Sequence, residues 1–201
     1  MSVAAMDASS APAETPLTPE SWGKLGMWLF LVGDAMSFGT LIAGYGILRI
    51  ISPQWPVSSE VLGVNLTAFM TFLLICSSVT MVQGLEAIKG GDHKRFRRNL
   101  ILTILGGLVF LGLQAYEWTH LIGDILPRYN LTFTNSLFAT TFFILTGFHG
   151  MHVAGGVIYN FCVLVACERG KFGAQEVEIA GLYWHFVDLV WILIFTFVYL
   201  V

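Results

Sequence analysis

Residues 61–85 read VLGVNLTAFMTFLLICSSVTMVQGL, a run without Asp, Glu, Lys or Arg that is closed by Glu60 on one side and Glu86 on the other. About 20 apolar residues in a helix cross the hydrocarbon of a bilayer, so this run predicts a transmembrane helix. Working outward, four further stretches have the same character. Leu25–Leu48 holds one charge, Asp34; Leu100–Tyr116 holds none and ends at Glu117; Tyr129–Cys167 holds none; Ile179–Val201 holds one, Asp188. The predicted helices are 25–48, 61–85, 99–121, 134–167 and 179–200, an all-α polytopic bundle. The loops left between them are too short for a separate soluble domain.

Composition agrees. The 201 residues are 56% hydrophobic and 11% charged, with 16 Phe and 6 Trp. Soluble domains carry about a quarter charged residues. A disordered chain, a collagen-like fibre and a secreted disulfide scaffold are excluded, and an ordinary soluble enzyme fits poorly. Cys76, Cys162 and Cys167 are odd in number and lie in apolar runs, as buried membrane thiols do. A net charge of −3 argues for no nucleic acid as a partner.

Lys and Arg divide sharply between the two sides. Lys24, Lys89, Lys94, Arg95, Arg97, Arg98, Arg169 and Lys171 fall on one, Arg49 and Arg128 on the other. Positive charge stays inside, which predicts a cytoplasmic amino terminus and a carboxyl terminus outside. Residues 1–21, rich in Ala, Ser, Pro and Glu, lack the pattern of a signal peptide and predict a flexible cytoplasmic tail ahead of a membrane domain at 22–201. Pro53, Pro56 and Pro127 mark the outer loops, and Gly90 and Gly91 open a basic inner loop. The cluster Lys94, Arg95, Arg97 and Arg98 is a topology signal and a candidate holder of anionic lipid head groups.

Ionisable groups at membrane depth are costly and need a reason. Asp34 lies ten residues beyond Lys24, ~15 Å along the helix at 1.5 Å per residue. Three pairs sit three residues apart and so on one helix face: Glu117 with His120, His149 with His152, and His185 with Asp188. Three chemistries are open. A metal site would use the histidine pair or Glu117-x-x-His120, but a di-iron centre needs a second such motif and more carboxylates, and no Cys-x-x-Cys-His is present. Proton handling would use Asp34, Asp188 and the histidines. Hydrogen bonding between helices would make the same groups structural. Ala35, Gly39 and Ala43, and likewise Thr146, Gly150 and Ala154, recur every fourth residue and predict that the first and fourth helices are packed within the bundle.

Residues 146–153, TGFHGMHV, and 183–191, YWHFVDLVW, resemble the two signature segments of haem-copper oxidase subunit III. Residues 24–30, KLGMWLF, and 114–118, QAYEW, are similar to that family too, and Glu178 stands where it usually has an acid. The resemblance covers essentially the whole chain after the tail and is to the short five-helix form. Many members have Glu where this chain has Asp34. The resemblance implies a core subunit with no metal and no cofactor of its own, lying in the bacterial cytoplasmic (inner) membrane. It packs beside a catalytic subunit that reduces O2 to water and pumps protons, sustains proton uptake and protects that subunit during turnover. It also implies a V-shaped cleft for phospholipids and haem and copper in partner subunits I and II; a small subunit IV and a larger respiratory supercomplex are further candidate partners, on which the sequence does not decide. Asp34 becomes the proton-linked candidate; Glu117, His149, His152, Glu178, His185 and Asp188 become interhelical contacts or cleft residues. The electron donor is cytochrome c or quinol, and a nitric-oxide-reductase accessory protein shares the fold. A stand-alone membrane haem protein and a small transporter are the more distant alternatives.

Overall fold

A computed structural model describes residues 22–52, 55–56, 61–128 and 136–200, and the predicted tail at 1–21 lies outside them. Among the described residues there are helices and no strands. The five long helices are α1 (Trp22–Ile51), α2 (Val64–Lys89), α3 (His93–His120), α4 (Leu137–Glu168) and α5 (Ala174–Ile194). A π-helical turn at Leu121–Ile125 and a last turn at Leu126–Arg128 continue α3, and a π-helical segment at Phe195–Leu200 continues α5. All five are long and apolar enough to cross a membrane.

The ends differ from the predicted bounds for local reasons. The largest correction is at α3, which starts at His93 rather than residue 99, so Lys94–Arg98 form helix and not loop. Gly91 turns the chain at φ 77°, a left-handed conformation that glycine adopts without strain. Asp92 then caps the helix, its Oδ1 accepting from Arg95 N at 3.0 Å, which satisfies one of the amides a helix start leaves free. Helix α2 starts at Val64, not 61, and runs through Glu86 to Lys89. Helix α4 is capped by Ser136, whose Oγ accepts from Ala139 N at 3.2 Å. Helix α5 gains a turn and a half before residue 179, because the Glu176 carboxylate folds back onto Gly173 N at 2.8 Å.

Helices α2 and α3 form a tight antiparallel hairpin. Helix α5 lies against α1, α2 and α4, and α3 closes the bundle against α4. Fully buried rings fill the middle, among them Trp184, Trp191, Tyr199, Phe110 and Phe142. Trp184 and Trp191 each donate their indole N–H to α2, to Ser77 Oγ and Thr71 Oγ1, both at 3.0 Å. A buried indole N–H needs such a partner. Leu29, Met36, Ile50, Phe72 and Ile158 point outward, as a lipid-facing surface would.

The two small-residue stripes behave differently. In α4, Thr146 is buried and Gly150 lets Gln114 of α3 approach, with Gln114 Nε2 donating to Thr146 O at 2.8 Å. In α1, Ala35, Gly39 and Ala43 all face outward, so the expectation that this stripe packs inside the bundle is wrong for this chain. The face of α1 that packs is Leu31, Phe38 and Tyr45, seven residues apart, where large side chains reach α4 and α5.

Candidate functional site

The polar groups of the bundle gather at three levels. At the basic end, Lys24 Nζ of α1 lies 2.6 Å from Glu178 Oε1 of α5, and Lys89 Nζ of α2 lies 3.6 Å from Glu178 Oε2. One carboxylate thus ties three helices. Lys94, Arg95, Arg97 and Arg98 stand exposed around a buried Phe96 that anchors the same turn.

In the middle of α1, Asp34 meets His152 of α4, with Oδ2 3.2 Å from Nε2 and both side chains about seven-eighths buried. The contact is at ion-pair distance but out of line for a hydrogen bond. The other ring nitrogen, Nδ1, lies 2.8 Å from Phe148 O. A carbonyl only accepts, which assigns a hydrogen to Nδ1. Nε2 is then the nitrogen that faces the Asp34 carboxylate. Phe38 covers it, its ring centroid 5.0 Å from that of His152.

His149 does not join His152. Its ring is fully buried, stacks on Trp191 with centroids 4.9 Å apart and meets the edge of Phe110. Neither of its nitrogens has a hydrogen-bond partner among the described residues. Both rings meet Phe38, with centroids 6.3 Å away for His149 and 5.0 Å for His152, and among the described residues no three His, Cys, Asp or Glu side chains gather as metal ligands do.

In the other three-apart pairs each carboxylate takes a hydrogen bond from another helix. Asp188 takes its hydrogen bond from another helix, Ser78 Oγ of α2 at 2.8 Å, and Asp188 Oδ1 has no partner among the described residues. His185 lines a cavity of about 330 Å³ between α1 and α5, with Trp28, Leu31 and Phe186. Glu117 is buried, accepting from Thr67 Oγ1 of α2 at 3.1 Å and from Tyr199 OH at 3.0 Å. His120 contacts Asp124, Nδ1 to Oδ2 2.9 Å. Sequence reasoning missed Thr67, Ser78 and Tyr199, because their partners lie 50 to 110 residues away along the chain. The available signal was a hydroxyl inside each apolar run.

An apolar groove runs along α3 and α4. Two cavities of about 280 and 620 Å³ share Trp118, Gly147 and Met151 as walls, and Leu41 of α1 closes the larger one. Gly147 opens the floor: a methyl there would lie 3.2 Å from the Trp118 ring.

The family model described as Cytochrome c oxidase subunit III matches residues 17–201. "Cytochrome c oxidase subunit 3" of Alkalihalophilus pseudofirmus is 36% identical over 202 residues, covering 98% of this chain and 96% of its own. The protein of that name from Bacillus subtilis is 37% identical, covering 94% of each chain. "Probable quinol oxidase subunit 3" of Staphylococcus aureus is 34% identical, covering 89% of this chain and 88% of its own.

Proposed function

Since the chain belongs to the cytochrome c oxidase subunit III family, we propose that it is the non-redox third subunit of a respiratory terminal oxidase and sustains proton delivery to the catalytic subunit through Asp34. The observation that carries this is the Asp34–His152 contact, two protonatable groups 3.2 Å apart on different helices at membrane depth. The contact lets a proton rest at membrane depth without leaving an isolated charge in hydrocarbon. Asp34 carries the proton, His152 shares it, Phe148 O orients the imidazole, and Phe38 screens the pair from lipid.

The assembly is a multi-subunit oxidoreductase, in which haem and copper belong to subunits I and II and reduce O2 to water with proton pumping. A small subunit IV and a respiratory supercomplex complete the proposed partners. The membrane is the bacterial cytoplasmic one, with Lys24, Glu178 and the Lys94–Arg98 cluster on the cytoplasmic side, as the eight-to-two division of Lys and Arg supports. Phospholipid acyl chains lie in the groove at Gly147 and Trp118, and separately, at the cytoplasmic end, Lys94, Arg95, Arg97 and Arg98 hold anionic head groups. Glu117, His149, His185 and Asp188 hold helices together, and Glu178 locks the cytoplasmic end. Cytochrome c is the proposed donor, supported by the names of the relatives at 36 and 37% identity. The quinol oxidase relative makes quinol the alternative.

The test is Asp34→Asn in the purified oxidase. We expect normal assembly with slower turnover or a shorter catalytic lifetime. Unchanged turnover and lifetime in a fully assembled complex would refute the proton-linked role.

A further inference from the structure

We propose that Glu117, Thr67 and Tyr199 form a second proton-holding site, at the end of the bundle opposite Glu178, which takes up and releases a proton without any heavy atom moving. The argument is a count of hydrogens. Thr67 Oγ1 lies 3.1 Å from Glu117 Oε1 and also 3.1 Å from Gly63 O. A hydroxyl has one hydrogen, so it serves one of these acceptors at a time. Tyr199 OH donates to Glu117 Oε2 in either case.

Two arrangements satisfy every group. With Glu117 ionised, Thr67 donates to Oε1, and Gly63 O keeps the bond from Thr67 N at 3.0 Å. With Glu117 neutral, its own O–H donates to Thr67 Oγ1, and the Thr67 hydrogen turns to Gly63 O. One proton is gained, one hydroxyl rotates, and no other bond changes. Asp188 lacks this property, because its Oδ1 has no partner among the described residues to accept or supply a hydrogen. A buried polar atom left without a partner is costly, which singles out Glu117 as the group able to change state cheaply.

A cavity of about 50 Å³ is lined by Gly63, Glu117 and His120, room for about one or two waters. His120, exposed and in contact with Asp124, stands at its rim and can pass the proton between solvent and that cavity. The titratable groups around Glu117 are Tyr199, from the segment that continues α5, and His120 and Tyr116 of its own helix, which line the same cavity; α2 contributes Thr67, and Tyr45 of α1 acts on Tyr199. Two π-helical segments, Leu121–Ile125 and Phe195–Leu200, flank the site, and the second carries Tyr199. Such segments recur at functional positions.

Infrared difference spectroscopy of the intact oxidase between acidic and alkaline pH tests this. The expected result is a protonated-carboxyl band that follows pH, shifts in D2O and is lost in Glu117→Gln. Gln is the shape of the neutral acid and can donate to Thr67 as the acid does. A second pair of variants applies if that chain fails to assemble: Thr67→Val should shift the band and Thr67→Ser should leave it in place. A band that survives Glu117→Gln, or that ignores Thr67→Val, overturns the proposal. Because the readout is the carboxyl itself and not turnover, its outcome is independent of the Asp34 test.

Discussion

Replacing Gly107 by Ala probes the closest packing in the bundle. Gly107 of α3 faces Trp184 of α5 and Val157 of α4, and an added methyl would lie 2.6 Å from a carbon of each. That is about 0.8 Å inside the 3.4 Å edge of ordinary contact. The neighbours cannot simply swing away. The Trp184 indole is held by its bond to Ser77 Oγ at 3.0 Å and wedged on its other side by Gly156, where a methyl would lie 2.9 Å from the ring. Forcing a methyl into a filled core costs about 1–3 kcal/mol. Gly112, on the same helix, supplies the reference, since a methyl there meets nothing within 4 Å. Both substitutions remove one glycine from α3, so the helix-propensity gain cancels between them and the difference isolates the clash. The assay is thermal denaturation of the purified complex, followed by protease cleavage of this chain. Gly107→Ala should fall below Gly112→Ala by that 1–3 kcal/mol. Equal stability of the two variants would refute the close approach of α3, α4 and α5.

Three smaller outcomes follow from the same contacts. Asp92→Ala removes the α3 cap and should cost about 0.5–2 kcal/mol, with Asp92→Asn restoring most of it; hydrogen exchange of the amides at His93–Arg95 is the measure. Glu178→Gln loosens a tie between partly exposed charges, so it should cost about 0–1 kcal/mol, less at high salt, read as thermal stability across a salt series. Asp188→Asn, which still accepts from Ser78, should leave the yield of assembled complex near normal, whereas Asp188→Leu buries an unanswered Ser78 hydroxyl and should lower it.

Hydropathy alone carried the number, order and approximate length of the helices, because a bilayer-crossing run must be apolar whatever it packs against. Helix ends were less legible. The charges of Lys94–Arg98 read as loop, yet the Asp92 cap and the Gly91 turn make them helix. The faces of the helices were harder still. Lipid is as apolar as the core, so a stripe of small residues does not tell which side is inside; the one in α4 meets Gln114, and the one in α1 faces out. Depth in the first helix brought Asp34 to notice and three-residue spacing brought the histidines, Glu117 and Asp188, but that spacing paired them with neighbours on their own helix. The structure pairs them across helices instead: Asp34 with His152, Asp188 with Ser78, Glu117 with Thr67 and Tyr199. Partners separated by 50 residues or more leave no local signature in the chain.

The central claim is that this chain works as the third subunit of a terminal oxidase. Purifying it through a tag in mild detergent, identifying the co-purifying chains by mass spectrometry and recording the haem spectrum of the product tests that claim most directly. The account expects a large haem-bearing catalytic subunit in the same complex, with a copper-bearing second subunit if cytochrome c is the donor. Recovery of the folded chain alone, or of the chain bearing haem by itself, would contradict it.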